Sequence, residues 1–327
     1  MRRKTGDARQ AEQPEKTRMS LADFFARELP PLSDIVTFTN NLPMSLYADT
    51  TVVKSPEVVF RGLVLSRNRL AAEEYLLNFR RSESDLGVVI GANNYSLPMA
   101  VGALAHRGLE EDEGGLIALP PYRNVREPLG PVVRSRRSVR RYSGKAVALQ
   151  DLSTVLYYAG GVTGELHVEG VPETAGLGRS DRIALRAGAS GGGLYPINLF
   201  VLALNVEGLK AGAYRYVPKH HALRPSGPVE PPEVRTLAQF GQVAAERSGF
   251  MIGYVYDLFR NARKYGDAGL AFALIETGAI AAHVHLTCTA LGLGSCDVGS
   301  FSKIKFERLF EADGVSRHMV HLTVVGK

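Results

Sequence analysis

Three stretches of this 327-residue sequence carry residue types that could do chemistry. The first is Arg136-Arg137-Ser138-Val139-Arg140-Arg141-Tyr142. Each guanidinium offers a planar fork of donors, and a hydroxyl between such forks suits an anionic phosphate. A solvated basic loop or a nucleic-acid patch would use the same residues. The second stretch runs from Arg186 through Ala189-Ser190-Gly191-Gly192-Gly193 to Leu194-Tyr195-Pro196, directly ahead of an apolar segment. Glycines let a backbone come close to a ligand and present its N–H groups. No GK[ST] follows and no helix opens here in the GxGxxG manner, so neither common phosphate-loop pattern applies. The third stretch spans residues 260–301, where a charged and aromatic lead-in is followed by a long apolar segment and a glycine turn.

That apolar segment predicts a helix over 268–291, apolar almost all round and interrupted by Glu276, His283 and His285. Such a helix belongs in a core, a subunit interface or a membrane. Its length would just cross a bilayer, but the carboxylate and the two histidines argue for a core or dimer-interface role. Its two ends are where chemistry is expected. A second helix is predicted over 149–159, closed by Gly160-Gly161. Strands are expected over 197–205, around Tyr214-Arg215-Tyr216 and over 318–325. His220 and His221 would point to opposite sides of a strand and so are not joint metal ligands. Near the start, Ser20 caps an expected helix with Phe24, Phe25 and Leu29 on its buried face. Residues 52–65 read as strand, 70–79 as an amphipathic helix, 96–106 as a short apolar segment and 109–115 as a loop. No internal repeat and no motif of known chemistry marks the first 120 residues.

An apolar fraction of 45% and a charged fraction of 22% fit a soluble globular protein. Residues 1–18 hold six basic and three acidic side chains, so this tail supplies three of the six net positive charges. The remaining charge is too small for a dedicated nucleic-acid role. Cys288 and Cys296 lack zinc spacing and read as two reduced cysteines, and no metal site is expected. No export signal opens the chain, which reads as cytoplasmic. The expected organisation is a disordered basic tail at 1–18, a partner- or peptide-binding extension at 19–120 and a main domain at 121–327.

The RRSVR run, the Ser190-to-Pro196 loop, Lys264-Tyr265-Gly266 and Ala290-Leu-Gly-Leu-Gly-Ser-Cys296 occur in this order. As an ordered set they resemble the nitroreductase-like flavoenzymes, and more narrowly the SagB-type azoline dehydrogenases of thiazole/oxazole-modified peptide biosynthesis. The resemblance covers about residues 132–327. It implies an α+β fold with a central, mostly antiparallel sheet flanked by helices, and FMN at a homodimer interface. By the same resemblance Arg136, Arg137, Ser138 and Arg140 hold the FMN phosphate and pyrimidine edge. Ala189, Ser190 and Gly191 lie along the flavin, usually from the other subunit. Val298 and Gly299 face the ring, and Lys264 and Tyr265 form the catalytic pair that marks the peptide-modifying branch. The sequence departs from the family pattern at Ala189, where proline is expected, and at Gly191 and Gly193, where alanine is common.

Oxidising an azoline to an azole removes a hydride and a proton. The resemblance gives the hydride to the flavin and the proton to Lys264, whose pKa burial and Arg260 and Arg263 would lower. Tyr265 shares the proton or orients the ring, and O2 reoxidises the flavin. The expected partners are a precursor peptide, a second copy of the chain and a cyclodehydratase. Two other readings stay open: an NAD(P)H-dependent nitro- or quinone reductase, and a non-catalytic scaffold subunit of a maturation complex.

Overall fold

The computed structural model describes residue 75 and residues 115–167, 182–227, 234, 236–237 and 243–327. The chain divides into two compact units, 1–81 and 82–327. In the first, Tyr75 is helical, inside the helix expected over 70–79. The other expectations for residues 1–114 lie outside the described residues.

The second unit is built on alternation. In the strand Ile197–Ala203, Leu199, Val201 and Ala203 join one apolar cluster, while Phe200 and Leu202 join another. Phe250–Asp257 divides the same way, with Phe250, Ile252, Tyr254 and Tyr256 on one side and Met251 and Val255 on the other. Successive strand residues face opposite ways, so a strand apolar on both faces must be covered twice. Helices on the two faces do this.

The strands are β1 (Ile117–Ala118), β2 (Val162–His167), β3 (Arg182–Arg186), β4 (Ile197–Ala203), β5 (Gly212–Val217), β6 (Ala222–Gly227), β7 (Phe250–Asp257), β8 (Gly294–Asp297) and β9 (Arg317–Gly326). Seven of them form one sheet in the order β1-β6-β5-β4-β7-β9-β8, antiparallel at every pairing. β2 and β3 pair separately. The helices are α1 (Leu129–Ser135), α2 (Leu149–Gly160), α3 (Leu258–Tyr265), α4 (Ala268–Ala290) and α5 (Lys303–Leu309). On one face α2 brings Leu152, Val155 and Leu156, and α4 brings Ile280, Val284 and Cys288. On the other face Phe306 of α5 and Phe310 just after it fill the second cluster. Gly253 of β7 makes room for them, since a Cβ there would sit 2.3 Å from the Phe310 ring.

The expected helices and strands are present with small shifts at their ends, but two details differ. The charged lead-in is a helix of its own, α3, set apart from α4 by Gly266 at φ 54°. The joint is fixed by Tyr256 donating to Asn261 Oδ1 at 2.8 Å and Asn261 Nδ2 donating to the Gly269 carbonyl at 2.7 Å. His220 closes a short 3-10 turn, and His221 lies beyond it at φ 45°, so neither is a strand residue. The His221 ring bridges Ser153 and Tyr216.

α4 is not apolar to no purpose on its outer side. Ala273, Ile280, Ala281, Val284 and Cys288 face the sheet, while Leu274, Ile275, Gly278 and Ala282 are exposed. By length and composition alone α4 could cross a membrane. Its Glu276 and His285, however, are buried against protein.

Candidate functional site

The residues singled out in the sequence gather in two clusters. The first forms at the start of α4. Gly191–Gly193 makes a single 3-10 turn ahead of β4, with Gly192 at φ 65°, where only glycine is comfortable. A Cβ on Gly192 would lie 2.5 Å from Tyr265 Oη and 2.8 Å from Lys264 Nζ. The Lys264 and Tyr265 side chains therefore end on the bare backbone of this loop, across 72 residues of sequence from Gly192 to Lys264. Both are half-buried, and Lys264 Nζ lies 5.2 Å from the Tyr265 ring centroid. Phe272 of α4 meets Tyr265 edge-on at 4.9 Å and would contact a Cβ on Gly191 at 3.6 Å. Arg260 and Lys264 are four apart on α3 and so share a face. Arg260 Nη1 donates to the Tyr195 carbonyl at 2.7 Å, docking that face on the loop.

The loop is held from below. Ser190 Oγ accepts the Tyr195 N–H at 2.8 Å and donates to Glu276 Oε2, while the Ile197 N–H reaches Glu276 Oε1 at 3.4 Å. Tyr195 itself sits at φ 47°, a strained position for a non-glycine residue. Its Oη accepts the Arg186 N–H at 3.0 Å, and the Arg186 guanidinium lies 4.7 Å from its ring centroid. Burial pushes the Glu276 carboxyl up to about 7, only partly offset by Ser190, the Ile197 amide, Arg186 and Arg260.

The second cluster forms near the other end of α4. The RRSVRRY run is pinned at alternate points. The Val139 N–H donates to the Ser295 carbonyl at 2.9 Å, and Tyr142 Oη donates to the Val139 carbonyl at 2.8 Å. Arg137, Ser138 and Arg140 are left exposed, and Arg136 is half-buried. Arg137 Nη1 is turned back onto the Arg134 and Arg136 carbonyls at 2.9 and 2.8 Å. Beyond β8, Gly299 is exposed but Val298 packs its side chain in the second apolar cluster, so Val298 can offer a ligand only its backbone.

Asp297 ties this end together. Its carboxylate receives His285 Nε2 at 2.9 Å, His321 Nε2 at 3.1 Å and Thr323 Oγ1 at 2.7 Å. His285 Nδ1 in turn meets Ser295 Oγ at 2.7 Å. Burial pushes the Asp297 carboxyl up, but hydrogen bonds from the two histidines and the threonine outweigh it and hold the group well below the usual carboxylate range. Ser295, His285 and Asp297 share the connectivity of a hydrolase triad. Ser295 is only 2% exposed, and its backbone carbonyl is taken by the RRSVRRY run, so the chain of bonds braces that run rather than attacking a substrate.

Glu276 and Asp297 are functional candidates the sequence reading did not reach. Glu276 was visible as a lone carboxylate in an apolar helix, a sign of a buried polar partner, but the partner lies 86 residues away. Cys288 and Cys296 are buried and free, as two reduced cysteines should be. Among the described residues no group of three or more His, Cys, Asp or Glu is placed to hold a metal.

The donor chemistry suits a flavin phosphate. Exposed guanidinium and hydroxyl groups lie along β8, where Ser138 bridges Ser295, and a bare glycine loop meets a lysine and a tyrosine. A family model, that of the nitroreductase family, matches residues 133–327. The chain belongs to the nitroreductase family. A nitroreductase-type protein of Methanocaldococcus jannaschii is 31% identical over 185 residues, 57% of this chain and 84% of that one. A nitroreductase-type crystal structure from Ralstonia eutropha JMP134 superposes with a TM-score of 0.50 and 22% identity, over 67% of this chain and 91% of that one. A chain of the E. coli microcin synthetase McbBCD complex with truncated pro-MccB17 bound gives a TM-score of 0.47 at 17% identity, over 80% of this chain and 99% of that one. The fold is thus nitroreductase-like, the protein is an oxidoreductase of that superfamily, and FMN is its expected cofactor.

Proposed function

We propose that this protein is an FMN-dependent oxidase that converts thiazoline or oxazoline rings of a ribosomally made precursor peptide to thiazole or oxazole. The observation that carries the reading is the seating of Lys264 Nζ and Tyr265 Oη on Gly192. This lysine–tyrosine pair is what the resemblance makes the mark of the peptide-modifying branch.

The two clusters lie at opposite ends of α4. Phe272 and His285 are 13 residues apart, about 20 Å along a helix. A two-fold axis near the middle of α4 brings the glycine loop of one protomer toward the arginine run of its partner. The exposed apolar strip Leu274, Ile275, Gly278 and Ala282 supplies the surface for that contact. Each site of the homodimer then takes Arg136, Arg137, Ser138, Arg140, Val298 and Gly299 from one copy. Ala189, Ser190, Gly191, Lys264 and Tyr265 come from the other.

FMN, when bound, supplies the hydride acceptor. Lys264 removes the proton from the neighbouring ring carbon, and Tyr265 orients the ring against the loop. The half-buried position of the pair limits water at the point of proton transfer. The peptide arrives from a cyclodehydratase, the class of enzyme that makes azolines, and residues 19–120 serve as the peptide- or partner-binding extension.

Lys264→Ala is expected to keep FMN bound while azoline oxidation falls at least about 100-fold, the scale of a lost general base. Wild-type turnover of an azoline peptide in that variant would sink the mechanism. Rapid NAD(P)H oxidation with a nitroaromatic acceptor, and none with the azoline peptide, would instead favour the nitroreductase reading. The name of the M. jannaschii relative points to that alternative.

A further inference from the structure

Glu276 takes no part in the proposed chemistry, yet it is 3% exposed in the middle of an apolar helix. The hydrogen bonds at both ends of the glycine loop lead back to it. Ser190 Oγ donates to one carboxylate oxygen, and the same oxygen of Ser190 accepts the Tyr195 N–H. The Ile197 N–H, at the start of β4, meets the other carboxylate oxygen. Arg260 and Arg186, which hold the Tyr195 carbonyl and flank the Tyr195 ring, both act on the Glu276 charge. Between Ser190 and Ile197 the chain contains the turn on which Lys264 and Tyr265 rest. Tyr195 keeps a positive φ there, which a surrounding structure must over-determine.

We infer that Glu276 is a positioning residue: by holding Ser190 and the Ile197 amide, it keeps Gly191–Gly193 seated under Lys264 and Tyr265. The inference deepens the flavin reading above and rests on it for the functional consequence, though not for the structural one.

The position has a second property. An ionised carboxylate only accepts, so Ser190 must point its hydrogen inward. A protonated Glu276 can donate to Ser190 Oγ instead, which frees the serine hydrogen for the open side of the loop. The groups facing Glu276 are Ser190 and Tyr195 from the loop, the Ile197 amide from β4, Arg186 from β3 and Arg260 from α3, while Tyr216 of β5 lines the same crevice. Among these the Glu276 carboxyl is the group shifted into the neutral range. Loop rigidity should therefore depend on pH around neutrality: the closed loop favours the neutral carboxyl, so opening that lets water reach Glu276 becomes easier as pH rises through about 7.

Amide hydrogen exchange of Tyr195 in the full-length, flavin-free protein tests this directly. Wild type, Glu276→Gln and Glu276→Ala are compared at the same pH, so that intrinsic exchange cancels. E276A is expected to exchange at least about tenfold faster at about pH 6, where the wild-type carboxyl is protonated and hydrogen-bonded in the closed loop. The wild-type to E276Q ratio is expected to change about threefold or more between about pH 6 and 8. Should E276A fail to fold, Ser190→Ala takes its place. A constant ratio, with protection unchanged in E276A or S190A, would overturn the inference. FMN affinity, read by flavin fluorescence, should weaken as pH rises through neutrality in wild type and stay level in E276Q. If wild type takes up no FMN, the flavin reading falls and the exchange measurement alone decides the role of Glu276.

Discussion

Two acidic residues brace the two ends of α4, and they behave in opposite ways. Asp297 has three side-chain donors at 2.7 to 3.1 Å and is held well below the usual carboxylate range. Glu276 has two arginines in its field, but its direct donors are one hydroxyl and one amide at 3.4 Å, and burial lifts it to about 7. Direct bonds of good length overcome the cost of leaving water, while nearby charge without such bonds does not. One end of the helix is thus pinned by a permanent charge. The other carries a charge that comes and goes near neutral pH.

Three substitutions can break or sharpen this contrast. The largest effect is expected from Glu276→Gln. The folded-state pKa of Glu276 is raised, so the stability it contributes is complete below about pH 4.5 and is lost as pH rises toward about 7. Between about pH 5 and 8 the variant should therefore gain about 2.5 kcal/mol relative to wild type in denaturant unfolding. Parallel stability profiles for the two proteins would refute the contrast. Asp297→Asn should act in the other direction. It should destabilise by about 2 kcal/mol at pH 7, a figure reduced for the 42% exposure of the carboxylate, because the amide turns a donor toward a histidine N–H. Its effect should fade only in strong acid, where wild-type Asp297 is itself protonated. Thr323→Val is the mildest. Losing one donor to Asp297 and the partner of Tyr254 Oη should cost about 1 kcal/mol and leave the Glu276 pH dependence untouched.

Local pattern made part of this legible in advance. Residues 268–291 announced a helix because their apolar run is long and ends in glycines, and β4 and β9 announced themselves by β-branched and aromatic runs. The ordered motifs pointed to the family, and the sheet it implied is present. Sequence did not reveal what depends on distant partners. Nothing near Glu276 names Ser190, and nothing near His285 names Asp297 as a hub shared with His321 from β9. Val298 looked like a flavin-facing residue from its motif, yet its side chain is claimed by the core around Phe306, a matter of tertiary packing. Gly266 alone hinted that α3 and α4 would part, and the Asn261–Gly269 bond that sets their joint is invisible in a linear pattern.

Among the described residues the seven-stranded sheet ends on two very short strands, β1 with two residues and β8 with four. A long bare edge invites another chain to extend the ladder, and that is how sheet proteins polymerise into fibres. Here β1 offers almost no template, and the β8 side is met by a bridge from Ser138. Self-association of this unit is thereby discouraged through its edges, where it would be open-ended. The two-fold contact proposed for the α4 face, by contrast, would close on itself.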